Sequence, residues 1–218
     1  MLWYLFDKEI TTYEVPATLT GVDTYRIFDE MPNLRSFTVE EGNTFYFAKD
    51  GVLYSRYSSG IINLECAPRG IEGAIEVADG TQYIEFEAFR NCTKLTAVTL
   101  PSTLIKIGSS AFASCESLQR IVIPDSVESI SNSAFSVCRA LEEVVLGNGL
   151  KTIGTNAFWS CFSLKSINIP KSVEKMGDRV FVQCTQATLY CEAEEKPEGW
   201  SDAWNENGGT VVWGHKAN

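Results

Sequence analysis

Residues 107–124 read IGSSAFASCESLQRIVIP, and the same stretch returns down the chain. It is preceded by IEFEAFRNCTKLTAVTLP (84–101) and followed by ISNSAFSVCRALEEVVLG (130–147) and IGTNAFWSCFSLKSINIP (153–170). Cys92, Cys115, Cys138, Cys161 and Cys184 stand 23 residues apart. Phe89, Phe112, Phe135, Phe158 and Phe181 keep the same step, as do Leu95, Leu118, Leu141 and Leu164. Ala88, Ala111, Ala134 and Ala157 precede the phenylalanines, with Val180 in the last unit. Ile84, Ile107, Ile130, Ile153 and then Met176 open each unit. A register held without a gap over this many positions is the signature of a repeat architecture.

Within each unit the segment L-x-x-[V/I]-x-[L/I] alternates apolar and outward positions, and Pro or Gly ends it. That is a short strand with one buried face. The remainder is too short for a long helix and has to bring the chain back through an irregular or single-turn helical segment. Each unit is therefore one coil. Strands of successive coils pair in parallel, about 4.8 Å apart, with the right-handed winding usual for parallel crossovers. A single coil cannot bury its own apolar face, so Ile, Ala, Phe, Cys, Leu and Val stack into columns.

The strand segment resembles that of leucine-rich repeats. The 23-residue unit I-x-x-x-A-F-x-x-C-x-x-L resembles the BspA-type (Treponema-type) leucine-rich repeat family, over about residues 84–190. The fold class expected is a leucine-rich repeat solenoid: a right-handed coil of parallel β-strands with short helical or irregular returns and one β-hairpin insertion. A single domain, 1–218, divides into an N-terminal cap and degenerate repeat (1–39), a hairpin insertion (40–74), regular repeats (75–190) and a C-terminal cap (191–218). In the degenerate repeat Phe28 takes the Phe position, Met31 that of Cys and Leu34 that of Leu. Alternating aromatics around Asp50-Gly51 predict the hairpin. Trp200, Trp204 and Trp213 belong to the cap, which must shield the last apolar face from water.

The chain of 218 residues carries a formal charge of -10. An acidic balance with no basic run argues against nucleic acid as a partner, and no apolar run is long enough to insert into a membrane. Met1–Phe6 does not read as a signal peptide. The resemblance implies a secreted or cell-surface protein, although no export signal stands in this chain; a cytoplasmic location stays open.

The recurrent cysteine admits three chemical readings. Structural zinc needs four ligands around one ion, and one cysteine per coil gives a line. Adjacent coils bring Cα atoms within disulfide range, but seven cysteines leave one over. A nucleophilic thiol needs a base, and the single histidine, His215, stands near the C-terminus. The reading adopted is a small, apolar, reduced core residue. No nucleotide-binding, metalloprotease or nucleophile-elbow motif occurs. No catalytic residue, cofactor site or metal site is assigned, and the chain is read as a non-enzyme.

Candidate interaction residues are the outward positions of successive strands. They begin with Thr96, Ala97 and Thr99, and continue with Gln119, Arg120 and Val122, with Glu142, Glu143 and Val145, and with Lys165, Ser166 and Asn168. Stacked, they form one sheet face with Val122 beside Val145. Trp159 and Phe162 are a second candidate. They occupy slots filled elsewhere by Arg90, Ala113, Ser136 and Val182, and by Thr93, Glu116, Arg139 and Thr185. Either they form a contact patch, or the tryptophan-rich cap covers them; covering is the reading preferred from sequence. The family resemblance implies a protein-interaction or adhesion module of a bacterial surface protein, with a host or bacterial surface protein as ligand. The alternatives are a carbohydrate-binding module, using Trp159, Phe162 and Tyr46 to stack on sugar rings, and a rigid spacer.

Overall fold

The structure is a computed structural model that describes residues 9–20 and 31–216. Phe28 lies outside the described residues. The chain forms β1 (Thr12–Val15), β2 (Ser36–Val39), β3 (Tyr46–Lys49), β4 (Val52–Arg56), β5 (Ile62–Cys66), β6 (Glu72–Glu76) and β7 (Thr81–Ile84). The regular coils follow, with β8 (Lys94–Thr99), β9 (Lys106–Ile107), β10 (Arg120–Val122), β11 (Ser129–Ile130), β12 (Glu143–Val145), β13 (Thr152–Ile153), β14 (Ser166–Ile169), β15 (Lys175–Met176), β16 (Thr188–Cys191) and β17 (Thr210–Val212).

Two parallel ladders run along the solenoid. The first joins β6, β8, β10, β12, β14, β16 and β17, and its members from β8 to β14 are built from the L-x-x-[V/I]-x-[L/I] segments. The second joins β5, β7, β9, β11, β13 and β15, and its regular members are two residues long, at the Ile that opens each unit. The sequence pattern gives one strand per coil and an irregular or single-turn helical return. The return holds this second ladder, and no helix occurs among the described residues. Two residues leave no room for alternation, so periodicity has nothing to detect there.

Between the ladders, the A-F-x-x-C segment is held by a third set of bonds. In one coil the N–H groups of Ser110, Phe112 and Ser114 donate forward to the carbonyls of Asn132, Ala134 and Ser136, at 2.9, 2.7 and 2.8 Å. The intervening N–H groups of Ala111, Ala113 and Cys115 close local turns onto Gly108, Ser110 and Phe112. Every amide of this buried segment is thereby satisfied, which a non-helical, non-sheet interior segment requires. Its geometry needs two left-handed residues per coil. They recur at Glu87, Ser110, Ser133, Asn156 and Arg179, and at Asn91, Ser114, Val137, Ser160 and Gln183.

The phenylalanines stack as one column. Ring centroids from Phe89 to Phe112, Phe135, Phe158 and Phe181 are 4.8, 5.1, 5.3 and 5.5 Å apart, with planes within 6° of parallel. Trp204 ends the column edge-on, 6.0 Å from Phe181. Residues 200–207 imitate a further coil. The N–H groups of Arg179, Val180 and Gln183 donate to the carbonyls of Ala203, Trp204 and Asn207. The Trp200 indole donates to the carbonyl of Val173 at 2.9 Å, and both rings are buried.

At the other end, β3 and β4 form the expected antiparallel hairpin around Asp50 (φ 52°) and Gly51 (φ 77°). Positive φ at both central residues is the turn whose twist suits a two-residue hairpin. Antiparallel β4–β5 pairing hands the chain to the second ladder. Strands β1 and β2 pair in parallel over a separate small core containing Val15, Met31, Leu34 and Phe37. Residues 34–39 thus repeat the strand logic of the regular coils.

Two stability effects follow. Phe135→Ala removes a ring from mid-column and costs about 3–5 kcal/mol, read as a lowered urea midpoint; a cost below about 1 kcal/mol would contradict the column. Val137 is β-branched at φ 62°, where L-residues are penalised and Asn is tolerated. Asn91 fills the equivalent slot two coils earlier. Val137→Asn should therefore stabilise by about 1 kcal/mol, measured in the same titration.

Candidate functional site

The outward positions of the first ladder all face solvent. Gln119, Arg120, Val122, Glu142, Glu143, Val145, Lys165, Ser166 and Asn168 are exposed, as are Thr96, Ala97 and Thr99. The register brings them into rows. Ala97, Arg120, Glu143 and Ser166 align across β8, β10, β12 and β14. In the next row Val122 faces Val145, and Asn168 faces Tyr190, which faces Val212.

The polar row is largely self-satisfied. Arg120 Nε donates to Glu143 Oε2 at 2.8 Å, and Lys165 pairs with Glu142 across the next pair of strands. Such exposed pairs add little stability, but they leave few charges unanswered at the centre of the face. The apolar row is different. Val122 and Val145 are 41% and 40% exposed and sit side by side on a rigid sheet. Beside them lies an open groove of about 470 Å³, lined by Ala97, Thr99, Leu100, Arg120, Val122 and Pro124.

The sequence reading misses the far end of this row. Ser166 pairs with Thr188, only 22 residues on, so one residue is lost between the Cys184 column and β16. The strict 23-residue step therefore points past Tyr190, whose ring lies 4.6 Å from that of His215. Val212, in β17, follows a cap without the motif and is 38% exposed.

Trp159 and Phe162 are not covered by the cap. They remain 38% and 44% exposed, while Trp200 and Trp204 turn inward onto the end of the core. The cap has to complete the hydrogen bonds and close the Phe column, and this fixes its rings over residues 173–181 rather than over Trp159. The Trp159 slot is only half outward, since Ala113 and Ser136 are buried at the same position. Tyr46 is 4% exposed inside the small N-terminal core and is not available to stack on a sugar.

The seven cysteines are all buried thiols. The five periodic ones do more than fill space. Cys115 Sγ donates to the carbonyl of Phe89 at 3.1 Å, Cys138 to Phe112 at 3.1 Å, Cys161 to Phe135 at 3.2 Å and Cys184 to Phe158 at 3.1 Å. Each Phe carbonyl also accepts its own coil's Cys amide, so both lone pairs are used. Burial pushes the Cys92 and Cys138 thiols up from 9.0 to about 12 and Cys115 and Cys161 upward too. A neutral S–H is what the donated bond requires.

With that geometry in place, the comparisons define the class. The chain matches a family model described as the BspA type leucine rich repeat region, in six copies over residues 72–188. That span exceeds half the chain, and the protein belongs to this family. A leucine rich cell surface protein from Faecalibacterium prausnitzii A2-165 is similar at 29% identity and TM-score 0.75, over 91% of this chain and 51% of that one. The leucine rich repeat protein of T. pallidum is similar at 28% identity and TM-score 0.60, over 63% of this chain and 67% of that one. A leucine-rich repeat protein from Eubacterium ventriosum shares the fold at 20% identity and TM-score 0.73, over 95% of this chain and 60% of that one. No curated protein matches. The chain spans about half the length of the Faecalibacterium protein. Among the described residues no helix is long and apolar enough to cross a membrane.

The raised thiols set a pH dependence. With the folded pKa near 12 and the unfolded one near 9 for Cys138, the folded state holds more protons between those values. Stability is then complete below pH 9 and falls as pH rises toward 12, by at most about 1.4 kcal/mol per pH unit for each thiol. Urea midpoints at pH 8, 9 and 10 should decline, and Cys138→Ala should flatten the decline while lowering the midpoint at pH 8. Thiol reagents should label native protein slowly and unfolded protein at once.

Proposed function

We propose that the protein is a non-enzymatic interaction module of a secreted or cell-surface bacterial protein, and that it binds a protein ligand, in an adhesive role, through the exposed face of the first ladder. The observation that carries this is the row containing Val122 and Val145. Two apolar side chains remain in water on a rigid strand surface, beside a groove and next to charges that already have partners. Burying such a pair against a protein rewards binding without first breaking an ion pair. Support for the location comes from the Faecalibacterium relative, which is described as a cell surface protein. Leucine-rich repeats are recognition scaffolds more than enzymes, which fits the absence of catalytic motifs in the sequence.

The cross-coil pairs Arg120–Glu143 and Glu142–Lys165 favour one other reading, a spacer whose face is neutralised by its own neighbours. One experiment separates the two. Purified host extracellular-matrix proteins and bacterial surface proteins are tested by biolayer interferometry against wild type, Val122→Glu/Val145→Glu and Trp159→Ala. An adhesive face gives binding to at least one protein and about a hundredfold loss in the double variant. Trp159→Ala should bind as wild type. Absence of binding across the panel, or binding indifferent to the double variant, would leave the spacer.

A further inference from the structure

A second site stands at the hairpin end, apart from the strand face. A cleft of about 360 Å³ is lined by Tyr57, Ser59, Ile61, Asn63, Tyr83 and Glu85. Its parts come from two sources. Tyr57 stands on the tight loop between β4 and β5, closed by Tyr57 N–H to Ile61 O at 2.9 Å and Gly60 N–H to Tyr57 O at 2.9 Å. Its ring is 42% exposed and is held edge-on by Phe45, 5.2 Å away. Asn63 pairs across the ladder with Tyr83 of β7, and Glu85 follows directly after that strand.

One carboxyl group anchors the polar chemistry of the cleft. Asn63 is only 7% exposed, and its Nδ2 donates to Glu85 Oε1 at 2.7 Å. That bond fixes the orientation of the Glu85 carboxyl, while the amide Oδ1 itself is closed to solvent. Burial raises the Glu85 carboxyl above its ordinary range, with Lys106 pulling the other way. Glu65, on the same strand as Asn63, is also raised by burial and further by the charge of Glu85. The cleft therefore offers the Glu85 carboxyl oxygens beside two tyrosines, with no cation in its lining.

We propose that this cleft binds a neutral sugar residue. The two oxygens of the Glu85 carboxylate, oriented by the Asn63 amide, ask for two neighbouring O–H donors, which a vicinal diol supplies. The tyrosine rings offer flat apolar surface to the C–H face of the same ring. An anionic ligand would meet Glu85 and Glu65 and is disfavoured. A ligand of one or two sugar rings matches the volume, and the mix of apolar walls with a few fixed polar groups is that of a small-ligand site.

Saturation-transfer NMR with methyl glycosides of glucose, galactose, mannose and N-acetylglucosamine, and with their trisaccharides, tests the site. At least one should receive saturation with millimolar affinity. Tyr57→Ala should weaken it about tenfold, with the urea midpoint lowered only by the loss of the edge-on contact with Phe45. Tyr57→Trp should retain binding, and Glu85→Gln, which keeps an acceptor oxygen, should lose less than Glu85→Ala. No transfer to any sugar overturns the proposal, as does transfer indifferent to Tyr57→Ala. Binding of trimethylammonium acetate in place of sugars would overturn it as well. Because the strand face lies elsewhere, Val122→Glu/Val145→Glu should leave sugar binding intact, so either site can fail alone.

Discussion

The structure depends on the way one coil finishes the polar groups of the next. A segment that is neither helix nor strand runs through the interior beside the Phe column, and buried amides there must find partners. They do so by alternating: one N–H closes a turn, the next reaches forward one coil. The thiol of the following coil then takes the second lone pair of the carbonyls of Phe89, Phe112, Phe135 and Phe158. Cysteine suits this position because a serine hydroxyl is shorter and alanine donates nothing. The stacked rings and the thiol bonds are two aspects of one contact, since the carbonyl being capped belongs to the residue whose ring is stacked. Loss of either disturbs the other, and neither is available to an isolated coil.

Much of this was legible in the sequence, and the reasons are specific. Ile, Ala, Phe, Cys and Leu recur because they line columns, and columns tolerate little variation. The strands of the first ladder alternate over enough residues to be recognised. The second ladder does not, because Ser129–Ile130 or Thr152–Ile153 is too short to show a period. The left-handed pair in each coil was equally hidden. Its slots hold Glu, Ser, Asn, Arg, Gln and even Val, so no glycine signals the conformation. The constraint comes from the bonds to neighbouring coils, which override the local preference of Val137.

The outward faces divide in the same way. Val122 and Val145 could be placed by alternation alone, and the register confirms their adjacency. Trp159 and Phe162 could be recognised as unusual, but their cover could not be inferred. Whether the cap reaches them depends on where the next coil's carbonyls must lie, and the cap is positioned by that need. Tyr190 escaped because a single lost residue shifts the strand against the repeat count. Asn63, Tyr57 and Tyr83 escaped because the hairpin sits outside the repeat, where no column identifies which side chains face which way.

These limits describe how such a solenoid can carry function. A residue in a column answers to the coils on either side, so changing it alone costs stability. A residue in an outward slot meets at most a neighbour's exposed side chain, as Arg120 meets Glu143, and its chemistry is freer to vary from coil to coil. Specific recognition is therefore expected where free slots become contiguous, as they do along the Val122–Val145 row, or where the repeat is interrupted, as it is at the hairpin. The interruption has an added capacity. Its antiparallel strands and tight loop can fold a side chain such as Tyr57 over the ladder and enclose a concavity. A uniform ladder presents a ridged plane, and it can build such a cleft only where something breaks its register.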